Sequence, residues 1–292
     1  MRTNLDPARL LPSDPTVRAI AEELYASVAG LPIISPHGHV DPALLVENKP
    51  FANPAELFIY FDHYVTRLLH AEGYSLENFG KGEAGANADP RKAWNILCSN
   101  WHLLLGTSSG YWLTHEFATL FGIDEAPSAE NAERLYDLIS SELLEPHMLP
   151  RALFESFNIE FLATTDDPCD DLAGHQALAE DQSFKGRVAP TFRPDAYLDP
   201  RATGWPANIN RLLAVAGESQ RTYAGFIRAL ENRRAYFKQH GAVSCDHGVL
   251  EAYTTILDSK TASDLFDGAV SGKLTEAEKR EFAGHMLAEM AR

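Results

Sequence analysis

Apolar positions recur with helical spacing along most of this chain, and with strand-like character in only four short places. Ser13-Asp14-Pro15 reads as a cap followed by proline in the first turn, and the periodic run behind it reaches Gly30. Asn53-Pro54 opens a second helix predicted to stop near Gly73, and Asp89-Pro90 a third that ends near Gly106. Further helices are predicted from Tyr111 to Phe121, from Ser128 to about Glu142, and from about Ser219 to His240, where Gly241 stops the run. Thr275 and Glu278 form a capping box for a last helix.

The strand-like segments are Leu31–Ser35, Ile159–Thr165, Val188–Phe192 and Ala242–Cys245, each apolar and bounded by Pro, Asp or His. Short apolar strands between long helical stretches predict an α/β protein with a parallel sheet and helical crossovers. More than a hundred residues separate the first strand from the second, and they read as helical throughout. An ordinary crossover is far shorter. Residues 45–145 are therefore expected to be a helical insertion after the first strand. Residues 1–44 would then start a barrel and residues 146–292 continue it. In a barrel such an insertion sits on the catalytic face.

Composition narrows the function classes. The chain has 292 residues, 45% hydrophobic and 23% charged, with a formal charge of −16. No basic stripe is present to displace counterions from phosphates, so a nucleic-acid partner is not expected, and an anionic membrane surface is disfavoured for the same reason. A small anionic substrate is compatible, because one or two local arginines hold a carboxylate against a negative global field. Cys98, Cys169 and Cys245 have no zinc-ribbon spacing and are expected to be reduced thiols of a cytoplasmic protein. The amino-terminal residues show no apolar signal region, and no apolar run reaches the ~18 residues of a membrane span. A homo-oligomer stays open.

The candidate chemistry collects at strand ends. In Leu31-Pro-Ile-Ile-Ser-Pro-His37-Gly-His39-Val-Asp41, two histidines follow an apolar strand at positions two apart. Such residues point the same way along a strand, so the two imidazoles can share one divalent ion. Asp62-His63-Tyr64, with Arg67 one turn later, lies on the second predicted helix, where a helix–helix contact is the plain alternative. Thr164-Thr165-Asp166-Asp167-Pro168 follows the second strand, and Asp167 there is also a natural helix cap. Arg193, in Pro190-Thr-Phe-Arg193-Pro-Asp195, is a candidate carboxylate clamp or the partner of Asp195. His247, in Ser244-Cys-Asp-His247-Gly, closes the set. Together these strand ends read as one site on the C-terminal rim of a barrel.

The segments LPIISPHGHVDP, FDHY, YWLTHEF, FLATTDDP, APTFRPD and VSCDHG, in this order, resemble the uronate (glucuronate) isomerases of the amidohydrolase-like superfamily. The resemblance runs from about residue 10 to the last residue. It implies a TIM-type (β/α)8 barrel of the metal-dependent hydrolase kind. It implies interconversion of D-glucuronate with D-fructuronate, and of D-galacturonate with D-tagaturonate, by proton transfer between C2 and C1. His37 and His39 match the metal-binding pair, with zinc the expected ion and manganese, cobalt or iron as alternatives. His63 and Tyr64 match a catalytic His-Tyr pair, and Arg193 and His247 match substrate-binding positions. Family chains continue to a segment like HPGSxRNHN and to a late strand whose Asp completes the metal site. Neither has a counterpart before Arg292, so an incomplete barrel without its last strands is expected. A metal-dependent hydrolase and an inactive fragment of the isomerase are the alternative readings.

Overall fold

The computed structural model describes Asp6 and residues 8–291. Its strands are β1 (Ile33–Ser35), β2 (Ile159–Ala163), β3 (Arg187–Ala189), β4 (Thr191–Phe192) and β5 (Ser244–Cys245). Every pairing is parallel: β1 with β2, β2 with β3, and β4 with β5. β3 and β4 are successive parts of one extended run, broken at Pro190, which has no amide hydrogen to give a ladder. Pairing continues past β2. The amides of Thr164 and Asp166 donate to the carbonyls of Ala189 and Thr191, the Arg193 amide donates to Asp166, and the Asp246 amide donates to Phe192. The strands are thus laid side by side in chain order. A doubly wound sheet reverses its order at a switch point, and this one does not.

The chain forms two compact units. The first comprises the residues up to Pro32 together with Asn48–Asn158, and it has helices but no strand among the described residues. Its helix Pro15–Val28 starts where the sequence predicts, because the Asp14 carboxylate accepts from the Thr16 and Val17 amides. None of that helix's residues is buried. The core of the unit is aromatic: Phe58, Trp94 and Phe117 pack together, and the Trp94 indole donates to the Ala132 carbonyl at 2.9 Å.

The helix expected from Pro54 to Gly73 is broken. One π-helical turn, Glu56–Tyr60, ends before Asp62, whose backbone is extended, and a new helix runs from His63 to Ala71. The Asp62 carboxylate accepts from the amides of Tyr64 and Val65, a local bond that competes with continuing the first helix. His63 and Tyr64 consequently occupy a first turn instead of a helix interior.

The second unit comprises Ile33–Glu47 and Ile159–Arg292 and holds all five strands. Its core forms where the helices Trp205–Val215, Tyr223–Gln239, Ser259–Val270 and Glu276–Met290 bring Trp205, Phe226, Phe266 and Phe282 together. Phe192 of β4 meets Phe237 edge-on, with ring centroids 5.1 Å apart, which fixes the sheet to the long helix. The capping box of Thr275 and Glu278 is present. No described helix is long and apolar enough to cross a membrane.

Candidate active site

The His37-Gly38-His39 segment leaves the end of β1 and lies against the end of β2. The Thr165 hydroxyl donates to the Gly38 carbonyl at 2.8 Å. A Cβ on residue 38 would stand 2.8 Å from the Ala163 carbonyl oxygen, so only glycine allows this approach. The Ser35 hydroxyl donates to the His37 carbonyl at 3.2 Å. So held, the two imidazoles converge: their Nε2 atoms are 3.1 Å apart and their rings meet at 85°.

Asp246, just past β5, links this pair to Arg193. Its Oδ2 is 3.5 Å from His37 Nδ1 and 3.3 Å from Arg193 Nη1, and it makes no hydrogen bond of good geometry although it is buried. Arg193 Nε donates to Asp195 Oδ2 at 2.8 Å, and the Gly248 amide donates to the same oxygen at 2.7 Å. His247 Nδ1 is buried 3.6 Å from Asp195 Oδ1. Burial works to raise the Asp195 carboxyl, but His247, Arg193 and the Gly248 amide more than offset it and hold it below the usual range. Asp195, by its hydrogen bond, raises the Arg193 guanidinium in turn. Gly248 fits for want of a side chain, since a Cβ there would lie 2.5 Å from Arg193 Nη2.

The structure therefore brings His37, His39, Arg193 and His247 into one line of contacts. It adds Asp246, which the motif reading quoted but did not assign, and Asp195, which that reading named only as a structural partner of Arg193. The signal was present: Asp246 immediately precedes His247 at a strand end, and Asp195 follows Arg193 by two. Asp195 realises the structural pairing that was the alternative for Arg193.

The carboxylates after β2 are occupied elsewhere. Thr164 and Asp166 face a buried cluster in which the Thr164 hydroxyl donates to Asp166 Oδ2 at 2.7 Å and lies 2.7 Å from His175 Nε2. A hydroxyl has one proton, so it accepts from His175, which assigns the imidazole proton to Nε2. The Thr191 amide donates to Asp166 Oδ2 at 3.0 Å. Asp167 accepts from the Cys169 amide and from the Tyr197 hydroxyl at 2.6 Å. A cleft of about 400 Å³ opens beside them, lined by His39, Asp41, Thr165, Asp170 and His175 among others.

His63 and Tyr64 belong to the first unit. Both are exposed, with ring centroids 4.2 Å apart, so neither is spent on a helix–helix contact. Glu116, on the helix Ser108–Phe121 of that unit, is pushed up to about 7, first by burial and then by Asp62. A carboxyl raised in the folded state stabilises the fold below its ordinary 4.5, and that stability is lost as pH rises through about 7. Glu116→Gln is expected to add about 1–2 kcal/mol at pH 8, allowing for partial exposure, and little at pH 4. Thermal midpoints at the two pH values check this, and an equal gain at both would reject titration as the cause.

Two nitrogens bound to one zinc ion at about 2.0–2.1 Å stand about 3.3–3.4 Å apart at a tetrahedral angle. The 3.1 Å separation of the His37 and His39 Nε2 atoms fits that arrangement. Among the described residues no group of three or more His, Cys, Asp or Glu side chains is placed to hold a metal together. The pair offers two ligands.

Parallel strands with polar and charged side chains gathered at their C-terminal ends define an α/β protein with a candidate site around His37 and His39. The chain belongs to the glucuronate isomerase family, whose model matches residues 15–292. It is 49% identical to the uronate isomerase of Cutibacterium acnes over 285 residues, which cover 97% of this chain and 61% of that protein. The crystal structure of glucuronate isomerase from Caulobacter crescentus superposes with a TM-score of 0.94 at 38% identity, over 100% of this chain and 61% of the other. The uronate isomerase structure from Thermotoga maritima gives a TM-score of 0.88 at 29% identity, over 99% of this chain and 61% of the other. The chain spans about three-fifths of the length of these relatives.

Proposed function

We propose that this chain carries the site of an aldose–ketose isomerase for hexuronic acids, interconverting D-glucuronate with D-fructuronate and D-galacturonate with D-tagaturonate. The observation that carries the proposal is the convergence of His37 and His39 beside Arg193 at neighbouring strand ends, in a chain of the glucuronate isomerase family. The architecture inferred is a TIM-type barrel with residues 45–145 inserted after β1. Chain-order parallel pairing supports it. So does the half-exposure of Ile33 and Ile34 on β1, a surface that further strands of the longer relatives would cover. Three free thiols agree with a cytoplasmic setting.

In this reading His37 and His39 hold a divalent ion, with zinc the first choice for two neutral imidazoles and manganese, cobalt or iron as alternatives. When bound, such an ion polarises the substrate oxygens that gain negative charge as the C2 proton leaves. Asp246 orients the His37 ring through Nδ1. Arg193 attracts the C6 carboxylate, with Asp195 and Asp246 fixing its plane, and His247 lines the same wall. His63 and Tyr64 handle protons at O1 and O2, a role supported by their exposure at a helix start.

The test is D-glucuronate incubated in D2O with the purified chain and zinc or manganese. Ketose formation with deuterium entering C1 of the ketose, and C2 of the aldose regenerated by the reverse reaction, is the expected result, and Arg193→Met should raise KM about tenfold with metal content unchanged. Ester or amide turnover without C2 exchange would favour the hydrolase reading, and neither reaction would favour the inactive-fragment reading. The β2 end speaks against the hydrolase, since residues 164–167 themselves carry no His or Lys for a second ion, and Thr164 and Asp166 are locked in a buried cluster that also engages His175 Nε2.

A further inference from the structure

We propose that Thr165 is the positioning residue of the His37–His39 pair, setting the separation of the two imidazoles through the Gly38 carbonyl between them. Alternation along the strand assigns this role. Thr164 and Asp166 point to one face, into the buried cluster with His175 and the Thr191 amide, while Thr165 between them points to the opposite face. There its hydroxyl has one partner among the described residues, the Gly38 oxygen at 2.8 Å. On the same side the missing side chain of Gly38 lets the segment rest on the Ala163 carbonyl, where a Cβ would stand at 2.8 Å. A hydrogen bond and a close backbone contact thus act on one residue from one strand end. The residue they fix is the only link between the two histidines.

Both histidine side chains are exposed to solvent, and among the described residues the His37 side chain is restrained beyond its own loop only by the long 3.5 Å contact to Asp246. The backbone therefore has to supply the preorganisation. The buried cluster holds the strand end rigid: the Thr164 and Asp166 amides are paired to β3 and β4, so Thr165 is presented from a fixed base. Removing the hydroxyl frees the Gly38 carbonyl to rotate, and the ring nitrogens then sample a wider range of separations.

This inference rests on the reading of His37 and His39 as metal ligands for its effect on affinity, but not for its effect on ring geometry. Two readouts on the full chain keep these apart. The first is the NOE between the His37 and His39 ring protons in metal-free protein. The second is cobalt(II) affinity, measured by competition with a chromogenic chelator. Thr165→Val is expected to weaken the NOE and to lower cobalt affinity about tenfold, the scale seen when a group behind a ligand is removed. Thr165→Ser, which keeps the hydroxyl, is expected to match the wild type in both. Gly38→Ala, which pushes the same segment off β2, is expected to behave like Thr165→Val and covers the case in which the valine variant does not fold. Unchanged NOE and affinity in Thr165→Val, or full loss of both in Thr165→Ser, would overturn the proposal. A weakened NOE in Thr165→Val, with no cobalt taken up by any form, would uphold the positioning role and remove the metal reading of the pair.

Discussion

His37→Ala is expected to lower zinc affinity by more than about 100-fold, because even a residue behind a ligand costs ~10–100-fold when removed. The reason lies in the donor count. In the proposed reading two imidazole nitrogens 3.1 Å apart would chelate one ion, and among the described residues no third His, Cys, Asp or Glu completes the group. Removing one nitrogen of two leaves a single exposed imidazole, which holds zinc no better than a surface histidine. His37 also carries a contact that leads from the pair to Asp246, at 3.5 Å, so the variant separates the two halves of the candidate site. His247→Ala is the informative contrast. Its Nδ1 lies by Asp195, on the far side of Arg193, and its loss should leave zinc uptake as in the wild type. Metal content after dialysis, with a chelator competition for the constant, distinguishes the two. Full retention of zinc by His37→Ala would end its role as a ligand.

Much of the site could be read before the structure, and the part that could not has a physical explanation. The strand ends carrying His37, Arg193 and His247 were visible because short apolar runs stop abruptly at polar residues. Their mutual contacts were not, since residue spacing says nothing about which side chain neutralises which. Arg193 was an open choice between a substrate clamp and a partner of Asp195, and the 2.8 Å bond shows that the pairing exists. The Thr164–Asp167 run looked like a catalytic rim, yet Asp166 and Asp167 accept from Thr164, Thr191, Cys169 and Tyr197. Those donors come from elsewhere in the chain, except for Thr164 and Cys169, so the sequence around the motif gives little notice of them. Some helix starts showed the same contrast. Asp14, Asp89 and Thr275 cap through their side chains and were legible. Ala173–Glu180 and Trp205–Val215 start after Leu172 and Gly204 in left-handed conformations, with no side-chain cap, and went unmarked. At Asp62 a cap inside a periodic run split one expected helix in two.

The largest stability effect is expected at Asp166. Asp166→Ala removes the acceptor of the Thr191 amide and of the Thr164 hydroxyl, both buried, and an unsatisfied buried group costs about 1–3 kcal/mol. The Thr191 amide is left without its acceptor while the Thr164 hydroxyl keeps the Ala189 carbonyl at 3.3 Å, which points to about 2–3 kcal/mol, with Asp166→Asn costing less because one acceptor oxygen survives. Amide exchange at Thr191 and Arg193 reports the effect locally, since the first amide donates to the Asp166 side chain and the second to its carbonyl. The pH dependence gives a sharper test. Burial lowers the His175 imidazole below its ordinary 6.5, and Asp166 is the leading influence in the opposite direction. A histidine lowered in the folded state contributes stability above about 6.5 that is lost as pH falls through its folded value. Without Asp166 the folded value drops further while the unfolded value stays put, so the acid loss extends over a wider range. The variant should therefore trail the wild type by more at pH 5 than at pH 8. A deficit that is the same at both would mean that the cluster acts through its hydrogen bonds alone, with His175 neutral throughout.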